Sequence, residues 1–173
     1  MKYSTYDILF FFCLTMVVAC TIDEDPQSLI TPDEFFNEDR DAQSAVDAIY
    51  EQVNGGSGIY ADLLWQFNVL ASDISDYVGG DYDLAEFANV SFSPENATIA
   101  KIYQNYYSAI NTANYAIENI PDSPLTENEQ LPLLAESRFW RAIFYFDLMR
   151  LFGGVPLALK PYDSVGQDYT LPR

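Results

Sequence analysis

The sequence predicts an all-α fold built from helical pairs that long loops connect. Two segments carry this prediction. From Ala135 to Leu157 the chain reads AESRFWRAIFYFDLMRLFGGVPL, in which apolar side chains cover nearly every side of one helix. From Ile99 to Ile120, apolar residues recur at alternating spacings of four and three, the period of a helix packed against one partner helix. We expect these two long helices to form the centre of the core.

Two shorter helices are predicted before them. Thr31-Pro32-Asp33-Glu34 is typical of a helix start, with a threonine N-cap and a proline at the first helical position, and it predicts a short helix that carries Phe35 and Phe36. From Asp41 to about Asn54, apolar residues recur at helical spacing up to Gly55. The predicted core positions of this second helix are Ala42, Ala45, Val46, Ile49 and Val53.

A third helix is predicted from Ile59 to about Ser72, and an irregular segment follows it. Between Asp73 and Glu95 the helical period disappears, while glycine, aspartate and aromatic residues accumulate. Loops of this length are uncommon in compact domains unless they have a function. The segment is therefore predicted to be a functional loop.

The last helix has a clear end and two alternative starts. Gly153 directly follows its last apolar residue and suits a left-handed backbone, and Pro156 cannot continue a helix. The helix begins either after Thr126, which can form a capping box with Glu129, or at Pro132 as its first residue. Because the helix is apolar nearly all round, we expect neighbouring elements to enclose it.

The composition restricts the function. The chain has 26 Asp and Glu against 8 Lys and Arg, a net charge of −18, and no histidine. This field repels phosphate backbones and anionic headgroups, so it argues against nucleic-acid binding and electrostatic membrane adsorption. The lack of histidine removes the commonest general base and metal ligand. Neutral ligands such as glycans are not repelled.

The N-terminus has the pattern of a bacterial lipoprotein signal. Lys2 precedes an apolar run from Ile8 to Ala19, and Val17-Val18-Ala19-Cys20 has the form of a lipobox. As a helix the run is about 18 Å long, against roughly 30 Å of bilayer hydrocarbon. It therefore predicts a cleaved signal peptide over residues 1–19. The alternative is an ordinary signal peptide, or a buried helix, with an incidental cysteine.

Cleavage before Cys20 defines three regions. Residues 1–19 are the signal peptide, residues 20–30 are an acidic tether behind a lipidated Cys20, and residues 31–173 are one helical domain. Cys13 leaves with the signal peptide, so no disulfide is expected in the mature chain.

Three features together resemble one family. The aromatic helix ends in YFDLMRLFGGVPL, the segment from Asn105 reads NYYSAINTANYAIENIP, and an acidic run follows the lipobox cysteine. This combination is similar to the SusD/RagB family of outer-membrane nutrient-binding lipoproteins. The acidic run resembles the surface-export signal of lipoproteins in the Bacteroidetes group. The two long helices are offset by about 33 residues, close to the tetratricopeptide period, and the resemblance implies tetratricopeptide-type helix pairs.

The resemblance implies a binding protein that makes and breaks no bond and uses no cofactor or metal. It implies a palmitate-type lipid anchor at Cys20, a place on the cell surface, and a lid position on a TonB-dependent SusC-like barrel. Through hinge motion the lid delivers oligosaccharides, or less often peptides, to the barrel for nutrient uptake. The alternatives are a helical protein-protein scaffold lipoprotein with no nutrient contact and, more distantly, a lipoprotein enzyme. Since the chain resembles the N-terminal portion of longer members, we expect its last helix pair to expose apolar surface.

Ligand contact is predicted in the segment from Asp73 to Asn89. Glycans bind through aromatic faces, with carboxylates and amides ordering the hydroxyls. The predicted ligand-binding residues are Asp73, Asp76, Tyr77, Tyr82 and Asn89. Trp65 and Trp140 lie on predicted helices and are expected in the core.

Two other interpretations of the acidic residues remain open. Asp73 and Asp76 are the best glycosidase-like pair, but in a chain this acidic such a pair is no argument for catalysis, and a flexible loop suits the required desolvation poorly. Asp73, Asp76, Asp81 and Asp83 have the ligand type of a calcium site without the EF-hand spacing. A solvated acidic loop is the simpler interpretation.

Overall fold

The computed structural model describes residues 35–55 and 58–162, and every regular element in these ranges is helical. The elements are α1 (Asp39–Asn54), a π-helical turn (Ile59–Leu63), α2 (Leu64–Leu70), α3 (Tyr82–Ala88), α4 (Ala97–Asn119), a 3₁₀ turn (Ile120–Asp122) and α5 (Glu127–Phe152). The predicted all-α class is confirmed. Of the helices in this described part, none is long and apolar enough to cross a membrane. The predicted signal peptide, Cys20, tether and Thr31 helix start lie outside the described residues.

Helix α1 matches its prediction closely. Its buried residues are Ala42, Ala45, Val46, Ile49 and Val53, the positions that the helical spacing indicates. At its start, the Glu38 backbone N–H donates to the Asp41 carboxylate at 2.8 Å. Phe35 and Phe36 lie in a turn directly before α1. The predicted helix is therefore wrong for these two residues, although Phe36 is buried.

Helix α4 packs against both α1 and α5. The predicted seam is correct for Tyr106, Ile110 and Ala113, which are fully buried. The prediction of a single partner helix is wrong, because Ala109 and Ala116 are also fully buried. The seam of one helix pair cannot account for these positions, and the second neighbouring helix widens the buried stripe.

Helix α5 begins at the first of its two predicted starts. The Thr126 backbone N–H donates to the Glu129 carboxylate at 2.9 Å, and a capping box is formed. Pro132 lies inside the helix, within its first two turns. At the other end Gly153 has φ +75°, the sign that a side chain disfavours, and its N–H donates to the Met149 carbonyl at 3.0 Å.

The predicted enclosure of α5 is wrong. Phe144 and Leu148 are fully buried, but Phe139, Phe146 and Met149 are 59%, 50% and 56% exposed. Apolar composition on all sides of a helix shows that several faces can be buried, and it does not show that each face has a neighbour. The expectation that the last helix pair exposes apolar surface is confirmed in the described residues.

Candidate ligand-binding surface

The predicted functional loop contains a helix, α3. The Asp81 side chain caps it by accepting the backbone N–H groups of Asp83 at 3.0 Å and Leu84 at 3.2 Å. The prediction of an irregular segment throughout Asp73–Glu95 is therefore wrong. Helix α3 is shorter than two turns and buries one large side chain, Phe87, so its sequence has no visible helical period.

An aromatic cluster attaches α3 to α2. The Phe87 ring meets Phe67 edge-on at a centroid distance of 5.2 Å and lies 5.3 Å from Phe92. Edge-to-face pairs of this kind stabilise by about 0.5–1.5 kcal/mol beyond their burial. Helices α2 and α3 therefore form one packed unit.

A buried asparagine attaches α3 to α4. The Asn96 side-chain N–H₂ donates to the Asp83 carbonyl at 3.0 Å and to the Glu86 carboxylate at 2.8 Å. Its side-chain oxygen accepts the N–H of Thr98 at 3.0 Å and so caps α4. One side chain therefore connects α3 to the start of the long helix.

The cavity beside this cluster does not suit a sugar. Its volume is about 70 Å³, and it is lined by Phe67, Phe92, Ile99, Ile102, Leu151 and Phe152. An apolar lining of this kind leaves the hydroxyls of a sugar without hydrogen-bond partners, and burying an unpaired hydroxyl costs several kcal/mol. We therefore do not assign a glycan to this cavity.

The predicted ligand residues differ in their hydrogen bonds within the chain and in their exposure to solvent. The Asp76 carboxylate accepts the Tyr77 N–H at 2.8 Å, and the Asn89 side-chain N–H₂ donates to the Ala85 carbonyl at 2.9 Å. Both residues, like Asp73, are exposed. Tyr82 lies in the first turn of α3 and is 77% exposed, so its ring is the most accessible of the predicted aromatic contacts.

Tyr77 folds back over its own loop. Its hydroxyl accepts the Asp81 N–H at 3.2 Å. A Cβ placed on Gly79 would clash with the same hydroxyl oxygen, so a side chain at this position would have to displace the Tyr77 ring. Tyr77 therefore holds the turn that precedes α3.

The four loop aspartates do not form a cation site. Within residues 35–55 and 58–162 there is no group of three or more His, Cys, Asp or Glu side chains arranged to hold a metal. Asp81 instead caps α3. The calcium interpretation therefore finds no support in this part of the chain.

Two carboxylates of α5 accept hydrogen bonds from tyrosines. Asp147 accepts the Tyr106 hydroxyl at 3.2 Å and also the Tyr60 hydroxyl, and Glu136 accepts the Tyr50 hydroxyl. Burial, followed by the hydrogen bond and charge of Asp147, raises the pKa of Tyr60. Burial also raises the pKa of Tyr106. Both phenols therefore remain protonated and act as fixed hydrogen-bond donors, a structural role.

A second polar cluster fixes the segment that follows α5. Buried Asn114 donates to the carbonyls of Ala158 at 3.0 Å and Lys160 at 3.2 Å, and it accepts from the Arg141 guanidinium at 2.7 Å. The Tyr145 hydroxyl accepts the Ala158 N–H at 2.6 Å and donates to its carbonyl at 2.8 Å. Side chains of α4 and α5 thus pair the backbone of an extended segment that has no sheet partner among the described residues.

Comparison with known proteins identifies the family. Residues 23–173 match the sequence model of a family described as "Starch-binding associating with outer membrane". The match covers most of the chain. The chain belongs to the SusD-like family.

Several relatives support this assignment. The SusD-like chain is 30% identical to SusD-like protein P2 of Formosa agariphila over 156 residues, 87% of this chain and 30% of the relative. It is 28% identical to SusD-like protein P38 of the same organism over 179 residues, 99% of this chain and 34% of the relative. The SusD-like chain therefore spans about a third of the length of these relatives. Among solved structures, none matches it.

Sequence reasoning misplaced one aromatic residue of this SusD-like surface. Trp65 on α2 is 59% exposed, so its expected place in the core is wrong. At 100° per residue, Trp65 lies opposite Leu64, Phe67 and Leu70, and this helical position was the available signal. Trp140 is half-buried and stacks on Phe144 at 5.8 Å, in agreement with its expected packing against the core.

Proposed function

We propose that this SusD-like chain binds glycans at the surface of the outer membrane. The observation that carries the proposal is the match of residues 23–173 to a family described as starch-binding and associated with the outer membrane. The net charge of −18 agrees with a neutral ligand, because an anionic ligand would meet a repulsive field.

The α2–α3 unit is the proposed contact surface. Tyr82 supplies an exposed ring for stacking on the C–H face of a sugar, and Trp65, on the neighbouring helix, is a further exposed ring. Asp73, Asp76 and Asn89 supply the exposed carboxylate and amide groups that order hydroxyls. The backbone that carries Tyr82 is already fixed, since α3 is attached to its neighbours. A pre-organised surface loses less conformational entropy on binding.

The role of Tyr77 in this proposal is positional. Its hydroxyl accepts the Asp81 N–H, and Asp81 caps α3, on which Tyr82 lies. Loss of the Tyr77 side chain would therefore loosen the turn that places the Tyr82 ring. We expect its removal to weaken glycan binding through this displacement.

The chain is proposed to bind without turnover. A glycosidase needs one carboxylic acid that burial or a neighbouring charge keeps protonated, and Asp73 and Asp76 are both exposed. Two carboxylates of α5, Glu136 and Asp147, accept hydrogen bonds from tyrosines. Both observations argue against a catalytic role for these four carboxylates.

The proposed setting follows from the N-terminal sequence and the family. Cleavage after residue 19 would expose Cys20 for acylation, and residues 20–30 would form the tether of the helical domain 31–173. Lipidated in this way, the chain would lie as a lid on a TonB-dependent SusC-like barrel at the cell surface. A hinge motion would release oligosaccharides, or less often peptides, into the barrel.

A helical protein-protein scaffold is the second candidate function. The observation that favours it is the exposed apolar face of α5, which includes Phe139 and Phe146. Affinity gel electrophoresis through soluble starch and a panel of other neutral polysaccharides separates the two. The glycan proposal predicts retardation by at least one polysaccharide, retained in Tyr82→Trp and lost in Tyr82→Ala. Phe146→Ala, at an exposed ring on another helix, is the matched control and should be retarded like the wild type. Lack of retardation by every polysaccharide contradicts glycan binding and favours the scaffold.

A further inference from the structure

Negative charge is concentrated in the part of the sequence that carries the proposed glycan surface. Residues 41–100, which include α2 and α3, contain ten Asp and Glu and no Lys or Arg. Residues 101–162, which include α4 and α5, contain six Asp and Glu and five Lys and Arg. Of these two stretches, only the first therefore has a large net negative charge.

The carboxylates of this stretch are not neutralised by cations of the chain. Within the part of the chain that the structure describes, the only ion pair joins Arg40 to Glu38, outside residues 41–100. Asp73 and Asp76, which belong to the proposed glycan surface, are both exposed. Their negative charge is therefore available to a cation that comes from outside the chain.

The exposed rings of the same surface also attract cations. The Tyr82 ring is 77% exposed and the Trp65 ring is 59% exposed. An aromatic face attracts an ammonium group that lies within about 6 Å of the ring centroid. The one cation that lies over a ring in the described part of the chain is Arg150, at Phe146 on α5. The faces of Tyr82 and Trp65 therefore remain open to an external cation.

We propose that the α2–α3 surface prefers glycans whose sugars carry protonated amines, such as oligomers of glucosamine. Such a sugar has the C–H face that stacks on Tyr82 or Trp65, and its ammonium group is attracted both by the carboxylates and by the aromatic faces. A neutral sugar has only the stacking and hydroxyl contacts, and a uronic acid is repelled. The inference rests on the proposed glycan-binding function, and the carboxylates determine which glycan that surface prefers.

A cationic peptide is the competing ligand. It would share the attraction to the carboxylates, but it lacks the flat C–H face of a sugar ring that stacks on an exposed aromatic side chain. The match to a family described as starch-binding also favours the sugar. The test therefore includes a peptide of equal charge as a comparison.

The test is isothermal titration calorimetry of the full chain with three hexasaccharides that share one backbone linkage and differ only at the second carbon of each sugar. Cellohexaose has a hydroxyl there, the N-acetylglucosamine hexamer has an acetamide, and the glucosamine hexamer has an amine that is charged in mildly acidic buffer. We expect the glucosamine hexamer to bind at least about tenfold more tightly than the other two at low ionic strength. The difference should shrink as added salt screens the carboxylates.

Two double variants separate this surface from the overall charge of the chain. Asp73→Asn/Asp76→Asn keeps hydrogen-bonding side chains but removes two charges, and it should weaken binding of the glucosamine hexamer by about threefold or more. Glu118→Gln/Asp122→Asn removes the same charge from exposed positions outside residues 41–100 and should bind this hexamer like the wild type. Circular dichroism melts establish that each variant is folded.

Three results would overturn the proposal. The first is an affinity for the glucosamine hexamer that does not exceed the affinities for the two neutral hexamers. The second is an unchanged affinity for the glucosamine hexamer in Asp73→Asn/Asp76→Asn. The third is an equal affinity for a lysine hexapeptide, which would reduce the effect to a general attraction of polycations.

The same measurements distinguish this inference from the proposed function on which it rests. Retardation by a neutral polysaccharide without a preference for the glucosamine hexamer would refute the amine preference alone and support glycan binding. If neither the polysaccharides nor the hexasaccharides bind, the proposed function and this inference both fail.

Discussion

Two phenylalanines separated by one residue on α5 should respond very differently to the same substitution. Phe144 is fully buried, with its ring stacked on Trp140 at 5.8 Å and 6.3 Å from the Tyr106 ring. Phe146 is 50% exposed and contacts the Arg150 guanidinium. Sequence composition alone treats both as core residues. The structure predicts that only Phe144 contributes strongly to the free energy of unfolding.

The magnitudes follow from burial. Phe144→Ala removes a fully enclosed ring and leaves a cavity between α4 and α5, which costs about 3–5 kcal/mol. Phe146→Ala loses part of the burial of one ring and one exposed cation–π contact, together about 1 kcal/mol. The two variants should therefore differ by about 2–4 kcal/mol, a large share of the 5–15 kcal/mol typical of a domain.

Urea unfolding measures this difference directly. The midpoint should fall strongly in Phe144→Ala and little in Phe146→Ala, with the slope m unchanged in both. If Phe144→Ala is unfolded without denaturant, the milder Phe144→Leu provides a measurable midpoint. Equal shifts in Phe144→Leu and Phe146→Leu would refute the assignment of the two faces of α5.

Three further outcomes are expected. Asn114→Ala should lower the free energy of unfolding by about 1–3 kcal/mol and increase amide exchange in residues 155–162, because it removes the donor to the Ala158 and Lys160 carbonyls. The control variant is Asn119→Ala, which removes one bond to the Tyr115 carbonyl and should leave that exchange unchanged. Unchanged exchange in Asn114→Ala would contradict the clamp.

The folded pKa of Tyr106 is raised above its ordinary value of 10.0, so the unfolded chain loses this proton first and the free energy of unfolding should fall as the pH rises above about 10. Urea titrations from about pH 8 to 11 should show a fall shallower by up to about 1.4 kcal/mol per pH unit in Tyr106→Phe, and equal slopes would contradict the protonated phenol. Cys20→Ala should move the protein from the membrane fraction to the soluble fraction, and mass spectrometry should find two or three acyl chains on Cys20; an unmodified Cys20 in membranes would refute the anchor.

Much of the core could be predicted from the sequence because it depends on local spacing. The five core positions predicted for α1 are all buried, since a helix with one apolar stripe has only one side that can face the core. The capping box of Thr126 and Glu129 likewise depends on residues three apart. Both features are determined within a few turns of the chain.

The number of neighbours could not be predicted in the same way. Helix α4 has a strict seam for one partner, yet it lies between two, and Ala109 and Ala116 are buried by the additional contact. Helix α5 has the opposite discrepancy, because Phe139 and Phe146 are exposed despite its apolar composition. The helices that pack against a given helix come from distant parts of the chain, so the apolar period of that helix does not predict how many there are.

The proposed ligand surface was partly visible in the sequence. The loss of helical period from Asp73 to Asn89 predicts a functional segment, and Tyr82 in this segment is 77% exposed. Helix α3 has no periodic pattern in the sequence, because it is held by contacts with other elements. Phe87 packs on Phe67 of α2, and Asn96 at the start of α4 donates to the Asp83 carbonyl. The exposure of Trp65 was missed because tryptophan is usually buried, although its position on α2 is opposite the apolar residues of that helix.

The most direct test of the central claim is isothermal titration calorimetry with the polysaccharide that retards the chain most strongly. The account predicts that Tyr82→Ala weakens binding by about 1–2 kcal/mol, about 5- to 30-fold, because one stacking ring is lost. Tyr82→Trp should retain the affinity, and the urea midpoints of both variants should equal that of the wild type, since the Tyr82 ring is 77% exposed. An affinity of Tyr82→Ala equal to that of the wild type would contradict the account and place the ligand outside the α2–α3 surface.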